Sequence, residues 1–140
     1  MLRITRAMRD EIVAHARADH PDEACGLLAG VAGKPTRVIR MSNIARSPTF
    51  YEMDPSELLR AFNEMDDRDE ELVSIYHSHT ATEAYPSRTD ISIAGYPEAH
   101  YVLVSTREPD TEELRSYRIV DGEVTEEPVE VVTSPTPGNL

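Results

Sequence analysis

The sequence predicts an α/β fold, a single domain with a mixed β-sheet flanked by helices. Three observations carry this. The chain has 140 residues, a size suited to one domain that buries roughly two-thirds of its unfolded surface. Short apolar runs of strand length alternate with segments of helical period. The run Tyr101 to Thr106 is almost continuously apolar, as expected of an inner strand covered on both faces. Residues 1–132 form the domain. Residues 133–140, rich in Pro, Ser and Thr, read as a disordered tail.

The elements follow in order. Leu2 to Thr5 reads as a short strand. Thr5 caps a helix through about Asp19, with Met8, Ile12 and Ala16 as its inward stripe, and Pro21 ends it. His15 and His20 are expected at the surface. Glu23 to Ala29 and Thr36 to Ile44 pair around a turn at Gly30 to Pro35. A second helix opens at Asp54-Pro55-Ser56-Glu57, which supplies a cap, a proline at the first position and an acid at the third. Leu58, Phe62 and Met65 give it one apolar face. The run Leu72 to Tyr76 begins the next strand, and a short helix spans about Arg88 to Ala94. Leu114 to Val120 and Glu123 to Val132 form a hairpin around Asp121-Gly122, with Pro128 marking an edge.

Composition removes several function classes. A net charge of −12 argues against nucleic acid, which is bound mainly through Lys and Arg, and against an anionic membrane surface. The acidic runs at Asp66 to Glu71, Glu108 to Glu113 and Glu123 to Glu130 read as solvated surface. Cys25 is the single cysteine, so an intramolecular disulfide and zinc–thiolate clusters are excluded. Its place in an apolar strand makes it a buried thiol. No apolar run reaches the ~18 residues of a membrane span. The expected location is the cytoplasm.

The most informative stretch is His77-Ser78-His79, followed by Ser87-Arg88-Thr89-Asp90. On a strand, residues at i and i+2 point to one face. The polar loop Thr80 to Pro86 lets Asp90 return to the same spot. Two histidines and a carboxylate, with a fourth position left to water, make a catalytic zinc site. A second reading of Asp90 stands beside this one. Ser87 with an acid three residues on, before Ile91 and Ile93, is the pattern of a helix capping box. Other metal motifs fit worse: the helix-borne His-Glu-x-x-His is absent, and Thr80-Ala81-Thr82 replaces the Asp-His pair of a metallo-β-lactamase.

These residues, with one more upstream, resemble the JAMM (MPN-plus) metalloproteases. That family carries a glutamate on an early strand, then His-Ser/Thr-His, seven residues, Ser, two residues and Asp. Here Thr80 through Pro86 separate His79 from Ser87, and Arg88-Thr89 separate Ser87 from Asp90. The stretch Glu23-Ala24-Cys25-Gly26-Leu27-Leu28-Ala29-Gly30 is similar to the family's glutamate strand and makes Glu23 the candidate glutamate. The resemblance runs from Ile4 to about Val131. It implies a deaminase-like mixed sheet with flanking helices. A narrower resemblance, to the actinobacterial Mec branch, lies in Arg46 to Tyr51, His77 to Ser87 and His100 to Thr106. Thr80, where many family members have proline, is shared with that branch.

The resemblance implies a zinc-dependent amide hydrolase. Its partner would be a small ubiquitin-like sulfur carrier ending in Gly-Gly, from which it releases cysteine. His77, His79 and Asp90 would bind one zinc, lowering the pKa of a water to ~7. Glu23 would act as the base, and Ser87 would hydrogen-bond the oxyanion. The ligand types admit other divalent metals. Trimming or isopeptidase activity on another ubiquitin-like tail is the enzymatic alternative. A non-catalytic binding module on the same fold would lack the metal residues, and all are present here. Between strand and helix, Arg46 to Met53 is a candidate groove for an extended tail. Phe50 is expected to plug the core, Arg46 and Tyr51 suit either reading, and Tyr85 is a candidate gate.

Overall fold

The computed structural model describes residues 1–133. The proposed tail falls almost wholly outside them. Strand β1 (Leu2–Thr5) leads into α1 (Arg6–Asp19), where the Thr5 side chain accepts the Met8 N–H at 3.1 Å. Strands β2 (Cys25–Val31) and β3 (Lys34–Met41) follow, with Ala32 and Gly33 in the left-handed conformation at their turn. Helix α2 (Pro55–Asp67) is capped by Asp54, which accepts from Ser56 N–H and Glu57 N–H. Then come β4 (Glu71–His79), α3 (Arg88–Ile93), β5 (His100–Ser105), β6 (Glu113–Val120), β7 (Glu123–Glu127) and β8 (Val129–Val132).

The main sheet has six strands in the order β3-β2-β4-β5-β6-β7. Its pairs are antiparallel except β4 with β5. Strand β5 is interior and buried from Tyr101 on, as its composition requires. The β6–β7 turn places Asp121 and Gly122 at φ 51° and 81°, which a two-residue hairpin of the primed type demands.

Three expectations need correction. The stretch Glu123 to Val132 is two strands, because Pro128 has no N–H to donate and breaks the ladder. Strand β8 leaves the main sheet there and pairs in parallel with β1, forming a second, two-stranded sheet. His15 is buried, and its Nδ1 lies 2.6 Å from the Tyr76 hydroxyl. It sits three residues past Ile12, on the inward stripe. Phe50 is 41% exposed and plugs no core.

The sheet separates two apolar cores. Helix α1 covers one face, with Ile12, Val13 and Ala16 against Leu2, Ile4, Leu28, Tyr76, Val102 and Val104. Helix α2 covers the other, against Cys25, Leu27, Ile75, Tyr101 and Ile119. Strand alternation sends Tyr76 and Ser78 to the α1 side, and Ile75, His77 and His79 to the α2 side.

Candidate active site

Register builds the site. Strands β2 and β4 pair with Cys25 opposite His77. Continued by two residues, that register sets Glu23 against His79, on the face both histidines share. A second tie fixes the junction: Ser78 N–H donates to Ala24 O at 3.0 Å, and Ala24 N–H donates to Ser78 Oγ at 2.8 Å. The hydroxyl between the histidines thus locks the segment that carries Glu23 into β2.

The loop after His79 is pinned to the sheet. Ser105 Oγ donates to Thr82 O and Tyr117 Oη to Ala84 O, each at 2.5 Å, and Glu113 accepts the Ala84 N–H at 2.9 Å. The loop delivers Ser87 as the cap of α3. Ser87 Oγ accepts the Asp90 N–H at 3.0 Å, and Asp90 Oδ2 accepts the Ser87 N–H at 2.8 Å. That same Oδ2 lies 3.0 Å from both His77 Nε2 and His79 Nε2. Capping and convergence on the histidines are therefore both properties of one oxygen.

One ligand atom from each of His77, His79 and Asp90 lies within 4.8 Å of the others. The donor set suits a cation. His79 Nδ1 faces Glu83 O at 2.9 Å, and a carbonyl only accepts, so Nδ1 carries the proton and a neutral ring presents the Nε2 lone pair to the carboxylate. Lone pairs brought this close repel unless a proton or a metal ion lies among them. Ligand atoms of a tetrahedral site at ~2.0 Å bond lengths are roughly 3.3 Å apart, close to the spacing found. Burial opposes charge on Asp90, but hydrogen bonds from His77 and His79 outweigh it and hold the carboxyl well below its usual range. Burial pushes His77 down against the pull of Asp90. On His79 burial also works downward, but the bonds to Asp90 and Glu83 O leave it raised. A proton thus competes with a metal for that imidazole.

Glu23 is 4% exposed, and burial raises its carboxyl to about 7. A base poised near neutrality is the most effective proton carrier at neutral pH. The backbone of Glu23 is held at both ends: its N–H donates to Ser47 O at 2.9 Å and its carbonyl accepts from Asn43 Nδ2 at 3.0 Å. Asn43 organises the whole segment. Its Nδ2 also donates to Phe50 O, and its Oδ1 accepts the N–H groups of Ala45 and Glu52, all at 3.0 Å. Thr80 Oγ1 donates to Pro48 O at 2.9 Å, tying the segment to the ligand loop.

Tyr51 stacks on His77, with ring centroids 4.5 Å apart. Beside them lies an apolar cavity of about 290 Å³, with Leu58, Phe62, Ile75, Tyr101, His77 and Asp90 in its walls. Phe50 and Tyr96, both exposed, stand among its lining residues. Tyr85 is exposed and packs edge-on against Tyr117.

The structure thus brings His77, His79 and Asp90 together, with Ser87 at the cap and Glu23 two residues ahead of the neighbouring strand β2. Sequence reasoning passed over Asn43, Ser78 and the Glu83 carbonyl. An asparagine at a strand end ahead of a loop is a recognisable turn-former, so Asn43 carried a signal. A main-chain carbonyl carries none.

Known proteins give the chain a context. The family of prokaryotic homologs of the JAB domain matches residues 5–120. The CysO-cysteine peptidase of Mycobacterium tuberculosis is 67% identical over 123 residues, covering 86% of this chain and 84% of that protein. The desampylase of Haloferax volcanii is 36% identical over 104 residues, 69% of this chain and 75% of its own. Among solved structures, a Desulfitobacterium hafniense protein superposes with a TM-score of 0.86 at 35% identity, covering 96% of this chain and 94% of its own. A JAB1/MPN domain protein from Archaeoglobus fulgidus shares the fold, with a TM-score of 0.62 at 21% identity and coverage of 94% and 99%.

Proposed function

Because the chain belongs to the family of prokaryotic homologs of the JAB domain, we propose that it hydrolyses a ubiquitin-like carrier tail. The bond cut is the amide joining a C-terminal Gly-Gly to cysteine. The chain is a metallopeptidase of the JAMM type, and the single observation carrying the reading is the convergence of His77, His79 and Asp90 beside Glu23. The identity with a CysO-cysteine peptidase over most of both chains supports the substrate. We assign the ion as one zinc, which catalytic sites hold with three protein ligands of imidazole and carboxylate type and a fourth position left to water. The cytoplasm is the proposed setting, supported by the lone buried Cys25. Among the described residues, no helix is long and apolar enough to cross a membrane.

His77, His79 and Asp90 would hold the ion. When bound, it supplies Lewis acidity, polarising a carbonyl and making a water acidic near neutral pH. Glu23 takes a proton from the attacking water and delivers it to the leaving nitrogen. Ser87 Oγ accepts the Asp90 N–H, so its own O–H remains to donate to the oxygen that gains charge. The C–O bond forms first, moving charge onto the carbonyl oxygen, and the return of that charge breaks the amide C–N bond as the nitrogen takes the proton from Glu23. The carrier leaves with a glycine carboxylate and cysteine leaves with a free amine.

Intact mass spectrometry of a carrier ending in Gly-Gly-Cys tests this. Loss of one cysteine, abolished by a chelator and restored by zinc, is the expected result. An unchanged carrier mass with metal-loaded protein rules out this substrate. Cleavage of a lysine-linked carrier conjugate in its place would make the protein an isopeptidase. Tight carrier binding without metal or turnover would make it a binding module.

A further inference from the structure

We propose that Arg46 recognises the α-carboxylate of the C-terminal residue that is released, and so directs the enzyme to tail ends over lysine-linked conjugates. The proposal rests on the function given above and deepens it.

The argument begins at the leaving nitrogen. Glu23 protonates that nitrogen, so the two are in contact during the reaction. In a C-terminal amino acid the carboxylate carbon is only about 2.5 Å from its own nitrogen, two bonds away. Whatever binds that carboxylate must therefore stand close to Glu23. A cleft that Glu23 helps to line holds two arginines, Arg40 and Arg46, beside Asp19 and Asp22. Arg40 is turned to Glu11, 3.4 Å from that carboxylate. Arg46 is exposed and, among the described residues, has no carboxylate within 4.0 Å. The polar atoms of Asn43, in the same cleft, are spent on backbone groups.

The backbone at Arg46 points the same way. Its φ is +47°, a conformation that glycine adopts freely and a long side chain holds at a cost. The segment is fixed by Asn43, and the carbonyl of the next residue, Ser47, accepts the N–H of Glu23 at 2.9 Å. Arg46 is thus presented one residue from the backbone of the base, on a rigid loop, with its donors uncommitted. A guanidinium matches a carboxylate with two parallel hydrogen bonds. A protein of net charge −12 needs such a local cation to admit a carboxylate. An isopeptide-linked lysine has no carboxylate at this distance from its nitrogen, and gains nothing from Arg46.

The test uses the metal-loaded protein and two carriers, one ending in Gly-Gly-Cys with a free carboxylate and one ending in the corresponding carboxamide. Wild-type protein is expected to favour the acid by about 10- to 100-fold in kcat/KM, the scale of a charge-assisted pair. Arg46→Gly, which relaxes the backbone, should bring the acid-to-amide ratio of kcat/KM down to about one, with the melting temperature in place. Arg46→Lys should keep part of the preference. Equal wild-type rates on the two carriers would overturn the assignment, as would an Arg46→Gly loss shared by both. Failure of wild-type protein to cleave either would remove the proposed function, and the inference with it.

Discussion

The two faces of the main sheet are built from the same strands and do opposite work. On the α1 face, Leu2, Ile4, Ile12, Tyr76 and Val102 are each 1% exposed or less. Packing there is tight enough that a Cβ on Gly26 would lie 2.4 Å from the Tyr76 ring. On the α2 face, the half-buried Leu58 and Phe62 leave a cavity of about 290 Å³ that His77 helps to line. Strand β4 serves both, sending Tyr76 to the closed core and its histidines to the open one. A sheet that is filled on one side can afford space on the other, and the chemistry stands where the space is.

Experiments can sharpen that division. The largest effect is expected from Glu23→Gln, which removes the proposed proton carrier and leaves the proposed ligands His77, His79 and Asp90 in place. Turnover should fall by ~10²–10⁴, with metal content and unfolding midpoint little changed. Loss of metal from the folded variant would make Glu23 a ligand and break the assignment of roles.

Next comes packing. Ile12→Ala removes a fully buried side chain from the closed core and should cost about 2–5 kcal/mol in denaturant unfolding. Leu58→Ala, on the wall of the cavity, should cost only ~1 kcal/mol. Equal losses would show that the two faces carry stability alike.

The smallest effect is tied to pH. On the α1 side, the Glu127 carboxylate accepts from Ser116 Oγ at 2.6 Å and the Met1 amine at 3.0 Å, and lies 2.5 Å from His100 Nδ1. Burial acts to raise Glu127, but these hydrogen bonds prevail and lower it from 4.5. A depressed carboxylate stabilises the fold above its unfolded pKa, and that contribution is lost as pH falls through the folded value. The stability gap between wild type and Glu127→Gln should therefore be constant near neutrality and shrink below about pH 4.5. A gap that stays constant down to pH 3 would sink this account.

Much of the fold was legible because local rules governed it. The caps at Thr5 and Asp54, the Asp121-Gly122 turn and the apolar β5 are each fixed by a few neighbouring residues. The pairing of β1 with β8 was not legible, since it joins chain ends more than a hundred residues apart and leaves no periodic trace. His15 misled through residue type: its position in the helical stripe indicated burial, and of the partners that permit it Asp19 lies one turn on in the same helix while Tyr76 comes from the fold. At the site, histidine spacing on a strand revealed the shared face. The rival readings of Asp90 were undecidable by pattern, because one carboxylate oxygen fulfils both.

That shared oxygen has a consequence for the apo and loaded forms. Helix α3 has six residues, none of them buried, and its first turn depends on the Ser87–Asp90 exchange. Fixing Asp90 with a cation fixes the cap. By reciprocity, ordering α3 by any other means tightens the hold on the cation. Affinity for the proposed metal would thus be partly a folding equilibrium, readable as slowed amide exchange along Arg88–Ile93, and helix-forming substitutions there would tune it without touching His77, His79 or Asp90.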